Sequence, residues 1–381
     1  MERLNRNKNL ASIFLLASTF LMQMLTGIVG ISVPIYAAEL GASLLLLGFI
    51  GATGGLIYSF MPLVSGILSD KFSRKIFIFT STFLYGLSCL FYSIVEDPYM
   101  LIPVKALEWV SVALFWPSVE ALLTEISKID IEETFRRFNL SWGSATIIGP
   151  MVGGFLISVL GIKTPFMISL IISLSLALLS IIAVEERLKR GSVVEREIQA
   201  STRNGSIPII GAVVGILLFS FIGGVILNLF PAYAASLGIP AYIVGLIMLI
   251  NGFFRLIAFL ETYRIETKFG RHFIFLVGSL VMALASAMTA IGSTAPIFAI
   301  SFAFFGFGAG MLYASSIATL LKDWGSKKGY AGGLFESLIG VGYFLGSLTG
   351  GFISEYSPNA PYILGLFASL IISFFQAFHR K

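Results

Sequence analysis

The chain has 381 residues, 57% of them apolar and only 12% charged, against roughly 25% charged in an average soluble protein. That balance excludes a soluble globular domain, which could not hide so much apolar surface. Two histidines, His272 and His379, and one cysteine, Cys89, exclude a histidine metal centre, a Ser/His/Asp set and an internal disulfide.

Twelve apolar runs follow one another, each close to the ~20 residues that cross a bilayer as a helix. The first, 10–36, follows the basic start MERLNRNKN and is too long for a signal-peptide core. It holds no acid, only Gln23. The second, 44–68, carries Tyr58 and runs into GILSDKFSRK, Gly66 to Lys75. The third covers 76–95. The fourth, 100–124, places Lys105 and Glu108 one turn apart on one face, then Trp109, Trp116 and Pro117. Glu120 falls near its inner end and is assigned no role. The fifth, 138–160, begins with Asn139 and Trp142 and contains GPMVGG, Gly149 to Gly154. The sixth, 164–184, closes the first half. A polar stretch of mixed charge, 185–206, reads as a linker between 1–184 and 207–381. The seventh run, 207–232, carries Asn228, and the eighth, 240–262, carries Asn251 and Arg255 one turn apart. The ninth is 273–292. The tenth, 295–321, holds GFGAG, Gly306 to Gly310, and Tyr313. The eleventh, 329–354, holds Glu336, and the twelfth is 360–378.

A shift of 197 residues lays the chain on itself without a gap. Pro34, Tyr36, Ala37, Ala38, Leu40 and Gly41 meet Pro231, Tyr233, Ala234, Ala235, Leu237 and Gly238. Gly48 and Gly55 meet Gly245 and Gly252. Gly143, Gly149, Gly153 and Gly154 meet Gly340, Gly346, Gly350 and Gly351. Each half carries six runs, so both halves enter the membrane the same way round, as a parallel repeat. With a cytoplasmic N-terminus, 22 of the 25 basic residues fall on inner loops and tails; Lys105, Lys163 and Arg255 are the other three. The positive-inside rule therefore places both termini in the cytoplasm of a multi-pass protein, here expected in the plasma membrane. The net charge of +5 reports this topology, and basic residues scattered over short loops do not form a nucleic-acid surface.

The stretch Gly66-x-Leu68-x-Asp70-Lys71-x-Ser73-Arg74-Lys75 resembles the signature loop of the major facilitator superfamily, with Ser73 where the family has glycine. Its repeat partner, Lys268 to His272, keeps the glycine, with Thr267 in place of the aspartate. The resemblance implies an all-α integral membrane protein, twelve transmembrane helices in two parallel-repeat six-helix bundles. It also implies a cytoplasmic gate of Gly66, Asp70, Arg74 and Glu125. Asp70 would face the start of the eleventh span, where free backbone N–H groups favour an anion. Arg74 would reach Glu125, eight residues after Pro117. Lys105 stands where many members carry arginine, and Trp109 where glycine is common. The run Gly149, Pro150, Gly153, Gly154 resembles a motif of the antiporter branch, and would serve equally as a helix-packing seam.

Ionisable groups inside spans are costly and tend to mark function. Glu336, Glu108 and Lys105 are the candidates for proton coupling, with Glu336 as carrier. Lys105 and Glu108 would equally make a structural salt bridge. Gln23, Tyr58, Trp116, Asn139, Trp142, Asn228, Asn251, Arg255 and Tyr313 are candidates for a solute cavity. The function expected is secondary transport by alternating access, favoured as proton-coupled efflux of a hydrophobic or amphipathic small molecule. Uptake of a small polar solute, and a non-transporting sensor or scaffold, remain as alternatives. No cofactor or metal is expected, and no enzyme activity. The chain is expected to act as a monomer in the bilayer, and without a Gly-x-x-x-x-Gly-Lys-Ser/Thr stretch ATP does not drive it directly.

Overall fold

A computed structural model describes residues 2–126, 131–183, 206–323 and 328–378. Most of the linker expected over 185–206 lies outside them. The helices in chain order are α1 (Glu2–Glu39), α2 (Leu44–Lys71), α3 (Arg74–Ile94), α4 (Leu101–Ile126), α5 (Ile131–Leu160) and α6 (Thr164–Ala183). A 3-10 turn, Pro98–Met100, leads into α4. The second set is α7 (Ser206–Asn228), α8 (Phe230–Ser236), α9 (Ala241–Phe269), α10 (Arg271–Ile291), α11 (Ala295–Asp323), α12 (Lys328–Ile353) and α13 (Ala360–Phe378). Among the described residues, eleven spans are long and apolar enough to cross a membrane. Helix α12 is as long, at 26 residues, but glycines and Glu336 dilute its hydropathy.

The seventh crossing is broken where its repeat partner is not. Pro34 sits inside an unbroken α1, whereas α7 stops at Asn228 and α8 restarts at Phe230 with Pro231 in its first turn. The counterpart of Asn228 in α1 is Ile31. Asn228 Nδ2 donates to the Gly224 carbonyl at 3.0 Å, competing with the backbone just before the proline removes a donor.

The repeat is visible in the backbone. Both α1 and α8 end on a glycine at positive φ, Gly41 at 83° and Gly238 at 77°. Ala42 N–H donates to Ala37 O at 2.9 Å, and Ile239 N–H to Ala234 O at 3.1 Å, so both copies turn through one αL cap that costs glycine nothing. Packing repeats too. Helices α1–α5, α2–α4, α3–α4 and α3–α6 of the first bundle correspond to α7–α12, α9–α11, α10–α11 and α10–α13 of the second.

Two seams join the bundles, α2 on α12 and α5 on α9. Both are built on glycine, because in lipid it is close backbone approach that holds helices together. At the end away from the chain termini, here the distal end, a Cβ on Gly48 would stand 2.6 Å from Gly351 Cα. The mirror contact puts a Cβ on Gly245 2.7 Å from Pro150 O. Gly55 packs on Phe344, and Gly252 on Ile147, the repeat partner of Phe344. The distal rim is further tied by Tyr242 N–H donating to Ser158 Oγ at 3.0 Å.

Towards the end that carries the termini, the two seams part company. Gly340 keeps α12 on the backbone of Tyr58 and Ser59, and Gly333 still meets Leu63. Gly143, the mirror residue of Gly340, meets nothing within 4 Å, and Leu140 and Asn139, which continue the stripe of α5 below it, are exposed. The α5–α9 seam is therefore closed distally and open at the terminal end.

Candidate solute and coupling site

The α2–α12 seam brings a carboxylate of one bundle to a phenol of the other. Gly340, one turn along from Glu336, lets α12 rest on the backbone at Tyr58. Tyr58 Oη then donates to Glu336 Oε2 at 3.0 Å. Glu120 of α4 lies within electrostatic reach of Glu336 and of Tyr58. The phenols of Tyr313 and Tyr343 stand in the same field. The sequence reading left Glu120 without a role, and the packing sets it beside this cluster. Its signal in the sequence was its position one turn after Trp116, but only packing brings α4 and α12 together. Trp109 completes the cluster, edge-on to Tyr58 with ring centroids 5.2 Å apart. A Cβ on Gly54 would lie 2.5 Å from its indole nitrogen, so the small residue has moved from α4 to α2 and the packing is kept.

Lys105 and Glu108 form a separate, closed unit. Lys105 Nζ donates to Glu108 Oε2 at 3.0 Å and Oε1 at 3.2 Å, and Tyr92 Oη donates to Oε2 at 2.7 Å. Both side chains are buried, at 5% and 3% exposure, and the bonds join α3 to α4 inside the first bundle.

Asn251 and Arg255 line a crevice in the second bundle. Asn251 Nδ2 donates to the Phe302 carbonyl at 3.1 Å and its Oδ1 accepts from Arg255 Nη2 at 2.9 Å. The guanidinium lies over the Phe219 ring, 5.6 Å from its centroid. The GFGAG run of α11 is the reason the side chains crowd here. Gly306 packs on the backbone of Asn251, and a Cβ on Gly310 would stand 2.7 Å from Arg255 O. Phe219 carried no signal in the sequence, being one of 35 phenylalanines.

At the terminal end, Arg74 Nη1 pairs with Glu125 Oε1 at 2.5 Å, joining the start of α3 to the foot of α4. Gly66 faces Pro117 of α4. The Asp70 side chain and those at the start of α12 lie outside the described residues. The second copy builds its pair differently. Arg271, the partner of Arg74, bonds Glu266 Oε1 at 2.7 Å, and Ser315 Oγ donates to Glu266 Oε2 at 3.1 Å. The acid has moved from the foot of the partner helix to the last turn of α9, which is why the motif looks blurred in sequence.

The other cavity candidates are scattered. Tyr313 packs on Phe219, Phe259 and Phe335. Trp116 is edge-on to Phe115 and Phe138. Asn228 is an interhelical tie, donating to Ser347 Oγ at 2.9 Å. Gln23 and Trp142 are half-buried, and Asn139 is exposed on the open stripe of α5. In GPMVGG, Gly149, Gly153 and the Pro150 ring seat α1, while the Pro150 carbonyl and Gly154 seat α9. The run thus packs one helix against both a bundle neighbour and the opposite bundle. At the foot of α5, hydrogen bonds from Arg136 and Arg137 hold the Glu133 carboxyl down to about 2.

A family model described as Major Facilitator Superfamily matches residues 15–323 and, again, 212–380. The chain belongs to the Major Facilitator Superfamily. It is a multi-pass membrane transporter, with twelve crossings in two six-helix bundles. The second match, starting at 212, falls on the second copy of the repeat. The chain is 24% identical to Multidrug resistance protein 1 of Bacillus subtilis, over 93% of this chain and 92% of that one. It is also 24% identical to Quinolone resistance protein NorA of Staphylococcus aureus, over 95% of each. Among solved structures, the nucleoside transporter NupG superposes with a TM-score of 0.77 at 17% identity, covering 97% of this chain and 99% of that one. An inward-facing, occupied bacterial homologue of the human lysosomal transporter Spinster gives 0.74 at 12%, covering 98% and 94%. Identities this low speak for the fold alone.

Proposed function

We propose that this transporter exports a hydrophobic or amphipathic small molecule in exchange for protons, with the terminal end facing the cytoplasm. The carrying observation is the hydrogen bond from Tyr58 to Glu336. It is made across the seam between the bundles, with Glu120 close by, so rocking of the bundles cannot leave it unchanged. Adding or removing a proton in this cluster alters the charge at the seam. That is the differential interaction a coupling ion must have with the two open states. The seams fit a rocking cycle, being zipped distally while one opens at the terminal end. Arg74–Glu125 belongs to the gate, which ties α3 to α4 on the side that opens. The multidrug and quinolone resistance relatives support export, and the aromatic lining supports an amphipathic solute.

The test is transport in proteoliposomes of the full chain, loaded with an amphipathic fluorescent dye. Glu336→Gln should abolish accumulation driven by a pH gradient and spare downhill dye exchange. A variant that still responds fully to the gradient refutes the carrier assignment. Wild-type protein that binds dye and never moves it returns the chain to a sensor or scaffold.

A further inference from the structure

Arg255 is half-buried, and among the described residues it is a cation inside a span that the coupling cluster, the gate and the Lys105–Glu108 pair do not account for. Its Nη2 reaches Asn251, but its Nε is buried without an acceptor. Among the described residues no carboxylate lies within ion-pair distance of it, in contrast to Lys105, Arg74 and Arg271. A half-buried guanidinium in a span, with its Nε buried and no anion beside it, is an expensive arrangement, usually kept for a ligand or a moving partner. Gly306 and Gly310 clamp α9 on α11 at this turn, and Phe219 covers the guanidinium face.

The crevice holding it is lined by Phe219, Ile222, Asn251, Met282, Phe305 and Tyr343, so its walls are apolar and aromatic apart from Asn251, Tyr343 and the arginine itself. Its free volume is about 20 Å³. That admits one or two water-sized groups. It matches a carboxylate head and excludes a whole drug-sized body. Tyr343 and Tyr313 lie within electrostatic reach of the guanidinium, and both also lie in the field of Glu336. A head group held by Arg255 would have its body on the Tyr343 side, entering when the α2–α12 seam parts, where Tyr343 and Trp109 have ring centroids 6.4 Å apart in the closed seam.

We infer that Arg255 is a head-group site, and that the solute is a monoanionic carboxylate with an aromatic or aliphatic body. This rests on the transport reading and narrows its solute class. The planar guanidinium supplies two parallel donors to the carboxylate, Asn251 holds the far side of the fork, and the aromatic walls take the start of the body. A cationic body is disfavoured by the same charge.

The experiment measures binding, so it is independent of flux. The full chain in lipid nanodiscs is titrated with 2-naphthoate, 2-naphthylmethanol, 2-naphthylmethylammonium and acetate, by calorimetry and by thermal unfolding. The expected result is that naphthoate binds at least tenfold more tightly than each of the other three. Arg255→Gln should bring naphthoate down to the level of the alcohol, with far-UV circular dichroism and the unfolding temperature without ligand reporting that the variant is folded. Arg255→Lys should recover part of the preference. Phe219→Leu, which keeps the guanidinium, should weaken all three naphthyl compounds and keep their order. Equal binding of alcohol and naphthoate by the wild type overturns the site, as does a naphthoate preference that survives in Arg255→Gln. Acetate binding as tightly as naphthoate overturns the apolar body. If naphthoate fails to bind while pH-driven dye flux persists, only this site falls. If naphthoate binds and nothing is moved, the site stands and the transport reading falls.

Discussion

A single methyl group on Gly48 should open the distal seam. The Cβ of alanine there would lie 2.6 Å from Gly351 Cα and 2.7 Å from Ser347 O, both backbone atoms that cannot rotate away. Relaxed carbon contacts need about 3.5–4.0 Å, so α2 and α12 must separate by about 1 Å. Overpacking of this kind costs about 1–3 kcal/mol. The cost falls only on the distally closed state, because the helices part in the other. A shift of about 2 kcal/mol changes the ratio of the two states by about 30-fold. The gain of up to ~1 kcal/mol in helix propensity on replacing glycine by alanine is common to both states and cancels between them. Spin labels at Glu39 and Tyr356, exposed at the distal ends of opposite bundles, report the separation in a Cys89→Ser background. Gly48→Ala should raise the population with the longer distance, and so should its mirror Gly245→Ala, aimed at Pro150 O. Gly143→Ala, with nothing within 4 Å, should leave the distribution alone. An unchanged distribution in Gly48→Ala, or an equal shift in Gly143→Ala, would refute the account of the seams.

Lys105→Met should destabilise the folded protein by about 3–5 kcal/mol by stranding a buried carboxylate, while Lys105→Met with Glu108→Met should cost less, about the 1–3 kcal/mol of the Tyr92 hydroxyl it leaves without an acceptor; unfolding in mixed micelles compares them, and equal losses would count against a closed pair. Tyr58→Phe deletes a bond to a carboxylate worth about 1.5–3 kcal/mol, so its effect on pH-driven flux should not add to that of Glu336→Gln; additive losses would mean the two act separately. Glu125 is 58% exposed, so Arg74→Ala and Glu125→Gln should cost stability only about 0–1 kcal/mol and yet slow transport together, non-additively. Because the Glu133 carboxyl is depressed to about 2, its ties to Arg136 and Arg137 hold above its ordinary range and are lost only as pH falls through that low value. Glu133→Gln should therefore leave the transport profile unchanged between about pH 5 and 8, and an altered profile there would show that another group titrates with it.

Crossings and repeat were legible in the sequence because each depends on local composition or on spacing. Apolar runs near twenty residues must be helices in lipid, since no other short segment satisfies its own backbone there. The register of 197 residues recurs in Gly41 and Gly238, and in the mirrored contacts of Gly48 with Gly351 and Gly154 with Gly245. The Arg74–Glu125 contact, expected from the family resemblance, forms because α3 and α4 run antiparallel from their short connection at 95–100 and bring the start of one beside the foot of the other. What the sequence could not carry is which faces meet across the two bundles. Glu120 and Glu336 are 216 positions apart on helices that share no loop, and only the seam brings their charges together with Tyr58. The opening of one seam and not the other is equally hidden, since Gly143 and Gly340 occupy equivalent places in the repeat and differ only in what has packed against them. Composition and period act along the chain. The charge and solvent access of a site are set by helices from both bundles, and so were decided by the tertiary structure alone.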